Sequence, residues 1–469
     1  MKQMGTAGRT HVHFIGIGGS GLSAIARVMQ ESGYHVSGSD RTLSPFAADL
    51  QAAGVAIFIG HDPRHVEGAD WIVRSSAVPD DNVEVQAARK LGIPVYHRAD
   101  FLGQFMSEKT GIAVAGTHGK TTTTAMIAFT LSEMKLDPSF IVGGVLSNLG
   151  VNARAGGGNM FVVEADEYDR MFLGLRPRLE VVTSVEHDHP DCYPRYEDMF
   201  AAFSAFTDLL PEDGALIACA DDAGALELMR EAQGRGQRVM AYSAHKDVAG
   251  EWQRWMHAHQ VATNQRGGFD FEAATNVGKT NSAAVSLQVP GEHNVGNALA
   301  ALSVVALLEL PLPEAAAALG RFRGTGRRFE VKGEQRGILV IDDYAHHPTA
   351  IRATLAAARA RYPGRRLWAV WQPHTYSRTQ ALFAGFSQAF GDADETIVLE
   401  IYAAREPKQE FSSEQVVQAI SRNTVRFIPT LEAATDYLLE HLKKDDVLIV
   451  LSAGDADQIG VNVLAGLGK

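Results

Sequence analysis

Gly111-Ile-Ala-Val-Ala-Gly-Thr-His-Gly-Lys-Thr-Thr-Thr-Thr124 places an apolar run directly before a glycine-containing turn and a row of threonines. This order predicts a strand, a phosphate-binding loop and the start of a helix. The glycines would let backbone amides wrap a triphosphate, Lys120 would neutralise its outer oxygens, and the Thr121 hydroxyl could ligate Mg²⁺. Val114 stands where the first glycine of the full G-x-x-x-x-G-K-[ST] pattern would be. The motif is therefore a shortened phosphate loop, and it predicts an α/β domain that binds a nucleoside triphosphate.

A second glycine-rich turn, Gly16-Ile-Gly-Gly-Ser-Gly21, lies near the start of the chain and matches G-x-G-x-x-G. An apolar run precedes it and a helical period follows it, so its backbone N–H groups and a helix N-terminus would face a pyrophosphate. Asp40 ends the next predicted strand, where an acid that binds a ribose would sit. A dinucleotide site, a sugar-nucleotide site and a tight packing turn all remain open for this motif.

Strand and helix patterns alternate outward from these two turns, which is typical of mostly parallel sheets covered by helices on both faces. At 469 residues the chain is too long for one compact core. We predict an α/β protein of three domains, each with a mostly parallel doubly wound sheet. These are a Rossmann-like domain at 1–107, a P-loop ATPase-like domain at 108–324 and a second Rossmann-like domain at 325–469. Polar alternation over 250–290 predicts an antiparallel insertion at the edge of the central sheet. The predicted strands cover residues 11–18, 34–40, 55–60, 71–78, 94–97, 111–116, 160–164, 181–185, 215–219, 338–341, 367–371, 396–401, 425–428 and 447–451.

Bulk properties narrow the possible partners. The formal net charge of −12 argues against nucleic acid or an anionic membrane as the main partner. Cys192 and Cys219 cannot build a disulfide framework and lack metal-ligand spacing, which is typical of a reducing compartment. The polar segment 1–10 lacks the apolar core of a signal peptide, and no stretch approaches the ~18 apolar residues of a membrane helix. We expect a cytoplasmic protein that binds neither nucleic acid nor a membrane.

Polar side chains follow two predicted strands of the central domain. Glu164 ends the strand at 160–164, and a histidine-rich turn, Val185-Glu-His-Asp-His189, follows another. Because the carboxyl ends of parallel strands share one edge of a sheet, Lys120, Glu164 and His189 should converge. Thr121 and Glu164 supply the oxygen ligands that Mg²⁺ prefers. His189 would be an unusual Mg²⁺ ligand, and a solvated loop histidine is the alternative.

Titratable clusters also follow four predicted strands of the third domain. Such positions commonly carry function, although solvated loops are the alternative. Two glycine-containing segments, 291–297 and 324–329, precede this domain and combine glycine with groups that could reach a nucleotide. The four clusters are residues 342–347, 372–378, 400–406 and 452–455.

Taken in order, these motifs resemble those of the Mur ligases across essentially the whole chain. The details are most similar to the alanine-adding branch of that family. Other branches use a carbamylated lysine shortly after the Asp-His pair, but no lysine occurs here between Lys135 and Lys246. The shared motifs are the turn at 16–21, the loop at 116–121, Glu164-Ala-Asp-Glu167, Asp188-His189, His293-Asn-Val-Gly-Asn297 and Arg327-Arg-Phe329.

The resemblance implies an ATP-dependent amide ligase of cell-wall precursor synthesis. Such an enzyme would join L-alanine to the lactyl carboxylate of UDP-N-acetylmuramate through an acyl phosphate. It would use ATP and Mg²⁺, which Mn²⁺ could replace, and it would be a monomer or weak homodimer. Lys120, His189 and Arg328 would be catalytic, and Thr121, Glu164 and His189 would hold the metal. ATP would be bound by Gly116, Thr117, His118, Gly119, Lys120, Thr121, Thr122, Asn294, Asn297, Arg328 and Asp343. The UDP-sugar would be bound by Gly18, Gly19, Ser20, Gly21, Asp40, His61, Ser75 and Arg154, and the amino acid by Tyr344, His346 and Arg378.

Other functions remain open at this point. A ligase that recycles an intact cell-wall tripeptide differs only in its amine substrate, and it shares Ala345, where the alanine-adding branch is expected to carry glycine. Thr375 stands where some relatives carry arginine, which makes its contact with the amino acid uncertain. An NAD-dependent oxidoreductase would account for the turn at 16–21 and Asp40, and a non-catalytic nucleotide sensor is a further alternative. Neither of these last two needs the phosphate loop together with the third-domain clusters.

Overall fold

The computed structural model describes residues 10–420 and 424–468. Within these ranges the chain forms three sheets, each with buried hydrophobic clusters packed against it. The α/β class and the three-domain organisation predicted from the sequence are confirmed. The polar start of the chain, residues 1–9, lies outside the described part.

The N-terminal sheet is parallel, and its strand order reverses beside its first strand. Its elements are β1 (His11–Ile15), α1 (Ser20–Glu31), β2 (His35–Asp40), α2 (Pro45–Ala52), β3 (Ala56–Ile59), a 3-10 helix (Pro63–Val66), β4 (Trp71–Arg74), α3 (Val83–Lys90), β5 (Val95–His97) and α4 (Arg98–Ser107). The order is β3-β2-β1-β4-β5. Chain connections leave in opposite directions on the two sides of β1, so the turn after β1 lies at the crevice where such sheets bind ligands.

The central sheet carries the phosphate loop on an inner strand. Its elements are β6 (Thr110–Ala115), α5 (Lys120–Glu133), β7 (Ser139–Ile141), β8 (Ala153–Arg154), β9 (Met160–Glu164), a 3-10 segment (Tyr168–Gly174), β10 (Leu179–Val182), α6 (Tyr196–Thr207), β11 (Ala215–Cys219), α7 (Ala223–Gly234), β12 (Val239–Ser243), β13 (Trp255–Thr263), β14 (Phe269–Thr275), β15 (Ser282–Ser286), α8 (His293–Leu307) and α9 (Leu312–Leu319). The order is β15-β14-β13-β12-β11-β10-β6-β9-β7-β8. β14 pairs antiparallel with β13 and β15, which gives the edge insertion expected from residues 250–290.

The C-terminal sheet is parallel except for its first strand, which pairs antiparallel with the second. Its elements are β16 (Glu330–Gln335), β17 (Ile338–Asp343), α10 (Pro348–Arg361), β18 (Leu367–Gln372), α11 (Tyr376–Ala381), α12 (Phe383–Phe386), β19 (Glu395–Val398), α13 (Glu414–Ala419), β20 (Val425–Phe427), α14 (Leu431–His441), β21 (Val447–Ser452) and α15 (Asp457–Leu467). The order β16-β17-β21-β18-β19-β20 brings the loops after β17, β18 and β21 to one edge.

Burial explains why the strands read as continuous apolar runs. β6, β17, β18 and β21 are buried along almost their whole length, as expected for strands covered on both faces. One hydrophobic cluster runs from the N-terminal domain into the central domain, and the Phe105 and Phe161 rings meet edge to face at 5.1 Å across that junction. The N-terminal and central domains therefore share an apolar core. None of the described helices is long and apolar enough to span a membrane.

Several strand predictions were inaccurate. The strand predicted at 71–78 ends at Arg74, because Ser75 N–H donates to the Ile15 carbonyl and Val78 N–H turns back to the Ser75 carbonyl. β7, β8, β12 and β16 were not predicted. β7 and β8 are only three and two residues long, and β16 is largely exposed and polar, so none of these three has a clear apolar period.

Candidate active site

The phosphate loop connects β6 to α5 and requires glycine at two positions. Gly116 has φ 134°, and a Cβ there would lie 2.1 Å from Thr183 Oγ1. Gly119 has φ 78°, and its Cβ would lie 2.7 Å from Asn297 Oδ1. Side chains at these points would clash with the neighbouring strand and helix. The tight turn sets the N-terminus of α5 at the sheet edge, which favours an anion there.

Lys120 begins α5 and is held by a buried carboxylate. Its Nζ donates to Glu167 Oε1 at 2.7 Å and to the Gly116 carbonyl at 2.5 Å. Glu167 is 1% exposed, and its Oε2 has no hydrogen-bond partner within the described part of the chain. Burial alone would lower the pKa of Lys120, but the charge of Glu167 outweighs it and the pKa is raised. Lys120 is therefore a cation fixed at the mouth of the loop.

Two of the three predicted metal ligands touch each other. Thr121 Oγ1 donates to Glu164 Oε1 at 2.8 Å, and the Gly143 backbone N–H holds the other Glu164 oxygen at 2.6 Å. Arg328, from the segment before the C-terminal sheet, donates to Thr121 Oγ1 at 3.1 Å. These adjacent oxygens fit a hard divalent cation. His189 lies beside Glu167, at 3.6 Å, and among the described residues it has no hydrogen bond to Thr121 or Glu164.

A buried ion pair joins the central and C-terminal domains next to His189. Arg378 Nε donates to Asp188 Oδ1 at 2.7 Å, and both side chains are about nineteen-twentieths buried. Burial would raise the pKa of Asp188, but the Arg378 charge outweighs it and holds that pKa well below its usual range. The terminal nitrogens of Arg378 face His374 Nδ1 at 3.1 Å and His189 Nδ1 at 3.3 Å. Asp188 thus fixes one edge of the guanidinium and leaves the other directed at the domain junction.

The other predicted amino-acid contacts gather around His374. His346 and His374 rings lie 6.0 Å apart, and His346 Nδ1 lies 2.8 Å from the Tyr344 carbonyl. Burial lowers the pKa of His346 well below its usual value, so its imidazole is neutral. Thr375 has φ 68° and ψ 146°, a conformation that costs a β-branched residue energy and that clusters at functional sites. Tyr344, His346 and Arg378 therefore share one junction.

The predicted ATP-binding residues outside the phosphate loop hold neighbouring segments of the chain together. Asn297 accepts from Thr123 Oγ1 at 3.1 Å and donates to Asn294 Oδ1 at 2.9 Å, which ties α8 to α5. Asp343 accepts from the backbone N–H of Phe329 at 2.7 Å and of Ala345 at 2.8 Å. Burial raises the pKa of Asp343. Asp343 thus fixes the segment that carries Arg328. Of the other loop residues, Thr117 Oγ1 donates to the Glu186 carbonyl at 2.9 Å and Thr122 lies half-buried in the first turn of α5.

His118 turns its side chain from the phosphate loop toward the C-terminal domain. Its Nε2 lies 2.8 Å from Glu186 Oε2, and its ring lies 4.7 Å from that of His347. Thr349 Oγ1 donates to Glu186 Oε1 at 2.9 Å. Like the Arg378–Asp188 and Arg328–Thr121 contacts, this contact links the two domains beside the phosphate loop.

The N-terminal turn is held by the acid that follows β2. Gly18 N–H donates to Asp40 Oδ2 at 2.8 Å, and a Cβ on Gly18 would lie at that same distance from the carboxylate oxygen. A Cβ on Gly21 would lie 2.4 Å from Arg98 Nη1, so α4 presents a cation to this turn. Gly19 caps α1 and Ser20 begins it, without a side-chain cap. Ser75 borders the turn, 3.0 Å from a Cβ built on Gly16.

His61 belongs to a cluster around a buried carboxylate. Glu84 is fully buried and accepts from Ser39 Oγ at 2.6 Å, while His61 Nδ1 lies at 3.0 Å and His65 Nδ1 at 2.6 Å. His13 Nε2 lies 4.0 Å away. Burial would raise the pKa of Glu84, but these hydrogen bonds together lower it to about 2. Glu84 thus fixes His61 at the end of β3, beside Asp40.

A cavity of about 280 Å³ lies between the N-terminal and central domains. Arg98 and Arg170 line it, and Arg98 also pairs with Asp166 at 3.1 Å. Arg154 lies elsewhere. Its Nη2 donates to Ser132 Oγ at 3.2 Å, in the last turn of α5, whereas the phosphate loop precedes the first turn. Its contact with the sugar stays a prediction, and that contact would require Arg154 to leave this partner.

Family models match most of the chain. The model described as Mur ligase family, catalytic domain, matches residues 11–110. The Mur ligase middle domain matches 114–305, and the Mur ligase, glutamate ligase domain matches 327–454. The chain belongs to the Mur ligase family.

This chain is similar to individual Mur ligases over nearly its full length. The UDP-N-acetylmuramate–L-alanine ligase of Renibacterium salmoninarum is 44% identical over 97% of this chain and 96% of its own, and that of Pelotomaculum thermopropionicum is 41% identical over 98% of each. The crystal structure of UDP-N-acetylmuramate-alanine ligase from Thermotoga maritima covers 97% of this chain and 98% of its own with a TM-score of 0.77 at 26% identity. A murein peptide ligase from Psychrobacter arcticus covers 98% and 99% with a TM-score of 0.70 at 27% identity.

Several residues around the phosphate loop and the domain junctions were not singled out from the sequence. Glu167 and Asp188 lie inside motifs that were recognised, but only the fold shows that their partners are Lys120 and Arg378. Glu186 precedes the predicted ligand His189 by three residues and faces a different cluster. Acidic residues within three positions of candidate ligands are the signal that could have found all three. Glu84 has no such signal, because an isolated glutamate in an amphipathic helix usually faces solvent.

Proposed function

We propose that this chain is an ATP-dependent ligase that joins L-alanine to the lactyl carboxylate of UDP-N-acetylmuramate in peptidoglycan precursor synthesis. The observation that carries the proposal is the junction around the phosphate loop. There Arg328 of the C-terminal part contacts Thr121, which follows Lys120 and is bonded to Glu164. Arg378 of the same part pairs with Asp188 of the central domain. The similarity to a UDP-N-acetylmuramate–L-alanine ligase, 44% identical over 97% of this chain, supports the same proposal.

The first step transfers the γ-phosphoryl group of ATP to the lactyl carboxylate and forms an acyl phosphate. Lys120 would counter the charge on the phosphoryl oxygens, and Arg328, 3.1 Å from Thr121 Oγ1, would add a second positive charge. Thr121, Glu164 and His189 would hold Mg²⁺, which when bound supplies positive charge to the phosphates. His189 lies 3.6 Å from Glu167 in this structure. Positioning and electrostatics provide most of the rate in such transfers. Asn294, Asn297 and Asp343 would support the nucleotide by fixing the segments around it.

The second step is attack of the L-alanine amine on the acyl phosphate, with release of phosphate and formation of the amide. Tyr344, His346 and Arg378 would receive the amino acid. The terminal nitrogens of Arg378, which face His374 and His189 in this structure, would turn to its carboxylate. Holding amine and acyl phosphate together lowers the barrier by up to ~7–11 kcal/mol in ideal cases. The polar contacts between the two domains are the means of bringing both groups together.

The UDP-sugar would lie along the N-terminal domain, its diphosphate on the turn at Gly18–Gly21 and its nucleoside near Asp40, His61 and Ser75. The cavity lined by Arg98 and Arg170 would carry the sugar toward the phosphate loop, since cations suit an anionic sugar nucleotide. We assign 1–107 to the UDP-sugar, 108–324 to ATP and 325–469 to the amino acid. We further expect a cytoplasmic monomer or weak homodimer that uses ATP and Mg²⁺ or Mn²⁺.

The tripeptide-recycling ligase is the second candidate, and Ala345 is the observation that favours it. Ala345 is 2% exposed at the predicted amino-acid site, where a methyl group changes the available space. An NAD-dependent oxidoreductase finds no support in the site. Asp40 accepts a hydrogen bond from the Gly18 amide and so serves the turn itself.

Phosphate release from ATP and UDP-N-acetylmuramate, with each amine offered separately, tests the proposal. We expect release with L-alanine and little with L-alanyl-γ-D-glutamyl-meso-diaminopimelate. Release with the tripeptide alone would assign the recycling reaction instead. As a binding control, UDP-N-acetylmuramate should raise the melting temperature and NAD should not, because only a ligand of the folded state stabilises it.

A further inference from the structure

The junction of the central and C-terminal domains holds a cluster of three donor side chains, of which Glu186 and His347 have no part in the proposed reaction. His118 comes from the phosphate loop, Glu186 follows β10, and His347 precedes α10. Each offers one ligand atom, and the three atoms lie within 4.8 Å of one another. We propose that His118, Glu186 and His347 form a binding site for a zinc-class divalent cation that ties the phosphate loop to the C-terminal domain.

The spacing of the donors suits a tetrahedral ion. Zinc bonds to histidine nitrogen and carboxylate oxygen are about 2.0–2.2 Å long, so neighbouring ligands of a tetrahedral ion lie roughly 3.4 Å apart. His118 Nε2 lies 2.8 Å from Glu186 Oε2, and His347 Nδ1 lies 3.9 Å from the same oxygen. These separations fall about half an ångström on either side of the required value. Small side-chain rotations would admit the ion.

The donor chemistry selects the class of cation. Two imidazoles and one carboxylate are typical ligands of Zn²⁺ and Co²⁺, whereas Mg²⁺ prefers oxygen alone. Burial lowers the pKa of His347 to about 4, so its ring is in the neutral form that binds metals. Burial would raise the pKa of Glu186, but its hydrogen bond with His118 and the nearby imidazoles lower it to about 2. A neutral imidazole and a charged carboxylate are therefore both present at neutral pH.

The surroundings leave the site open and its ligands adjustable. Thr349 Oγ1 holds Glu186 Oε1 at 2.9 Å and leaves Oε2 for the ion. His347 Nε2 is buried without a hydrogen-bond partner in the described residues, and its Nδ1 accepts only a long bond, 3.3 Å, from the Thr349 N–H. Coordination would replace that weak bond. The side chains of His118 and Glu186 are 24% and 41% exposed, so an ion can enter from solvent.

An ion at this site would link two domains that must move apart for substrates and product to exchange. Zn²⁺ should therefore favour the closed arrangement and slow turnover, because domain opening limits the rate of many enzymes that close on their substrates. Binding itself is independent of the ligase reaction. The site can thus be tested whether or not the substrate assignment is right.

The test is titration of the full-length protein with Co²⁺, followed by its visible absorption, and equilibrium dialysis with Zn²⁺. Wild type is compared with His347→Gln, Glu186→Gln and His189→Gln, the last of which alters the proposed magnesium site. We expect one tetrahedral Co²⁺ per chain in wild type and in His189→Gln, and at least tenfold weaker binding in the other two. Equal binding by wild type, His347→Gln and Glu186→Gln, or loss of binding only in His189→Gln, would overturn the proposal. Glu186→Gln lies in a different domain from His347, so misfolding around α10 cannot account for loss in both.

Discussion

Replacement of Lys120 by alanine removes both its ion pair with Glu167 and its proposed role in phosphoryl transfer. Lys120 neutralises Glu167, which is 1% exposed, at 2.7 Å, and it stands where the γ-phosphate would be transferred. Removal of one partner of a buried pair costs about 3–5 kcal/mol, because the other charge is left unpaired. Because the Lys120 side chain is 16% exposed, we expect a loss of unfolding free energy at the lower end of this range, about 3 kcal/mol. Loss of one charge-stabilising donor at a transition state costs about 10²–10³-fold in rate, and loss of an arginine that acts on a phosphoryl group about 10³–10⁵-fold.

The double variant Lys120→Ala/Glu167→Gln distinguishes these effects. Removal of the uncompensated charge should recover most of the lost stability, measured by thermal or urea unfolding. Turnover, measured as phosphate release, should stay at least about 10³-fold below that of Glu167→Gln alone. Binding of UDP-N-acetylmuramate should change little in either variant, because its proposed site lies on the N-terminal domain. Lys109→Ala is the matched control, since Lys109 Nζ donates to the Gly156 and Gly158 carbonyls of the same domain and, among the described residues, to no carboxylate. Turnover within tenfold of Glu167→Gln in the double variant would refute the catalytic role of Lys120.

The other predictions concern the amino acid, the nucleotide and the buried glutamate. Arg378→Ala should raise the KM for L-alanine about 10- to 100-fold, which is the effect expected when hydrogen bonds to a charged group are lost. The KM for ATP should change much less. Arg359→Ala, which breaks an ion pair with Asp394 in the same domain, is its control, and equal KM changes for both substrates would count against a specific amino-acid contact. Chromatography of the spent nucleotide should show ADP and no AMP, because the loop is predicted to hold the β- and γ-phosphates. AMP with pyrophosphate would exclude γ-phosphoryl transfer. Glu84 has a folded pKa of about 2 against an ordinary 4.5, so its contribution to stability is fully present above pH 4.5 and is lost as pH falls toward 2. The unfolding free-energy difference between wild type and Glu84→Gln should therefore shrink between pH 5 and pH 3, and a constant difference would show that Glu84 is not charged in the fold.

The parts of the fold that periodicity encodes were predictable from the sequence. Strand and helix alternation together with the glycine turns predicted three α/β domains, and the residues after β6, β9, β17 and β18 were predicted to meet at sheet edges because parallel strands dictate it. What the sequence could not show is how the edges of two domains face each other. The Arg378–Asp188 pair spans 190 residues, and the Arg328–Thr121 contact spans 207. Such contacts depend on domain placement, which no local pattern encodes. Exposed strands such as β16 were not predicted because their sequences lack an apolar pattern.

Asp40 illustrates how a correct motif can leave a role undecided. The sequence placed an acid at the end of β2, where it would bind a ribose in a dinucleotide site. In the fold this carboxylate accepts from the Gly18 amide at 2.8 Å and from the Arg41 amide at 2.7 Å. These two contacts are with the backbone at and beside the turn. The motif alone does not distinguish a group that binds ligand from one that shapes the ligand's site.

Transfer of oxygen-18 from the lactyl carboxylate of UDP-N-acetylmuramate tests the central claim most directly. An acyl phosphate formed on that carboxylate must pass one carboxylate oxygen to the phosphate when the L-alanine amine attacks. The account predicts that each phosphate released with ATP and L-alanine carries one labelled oxygen, in step with amide formation. Unlabelled phosphate accompanying amide formation would contradict it.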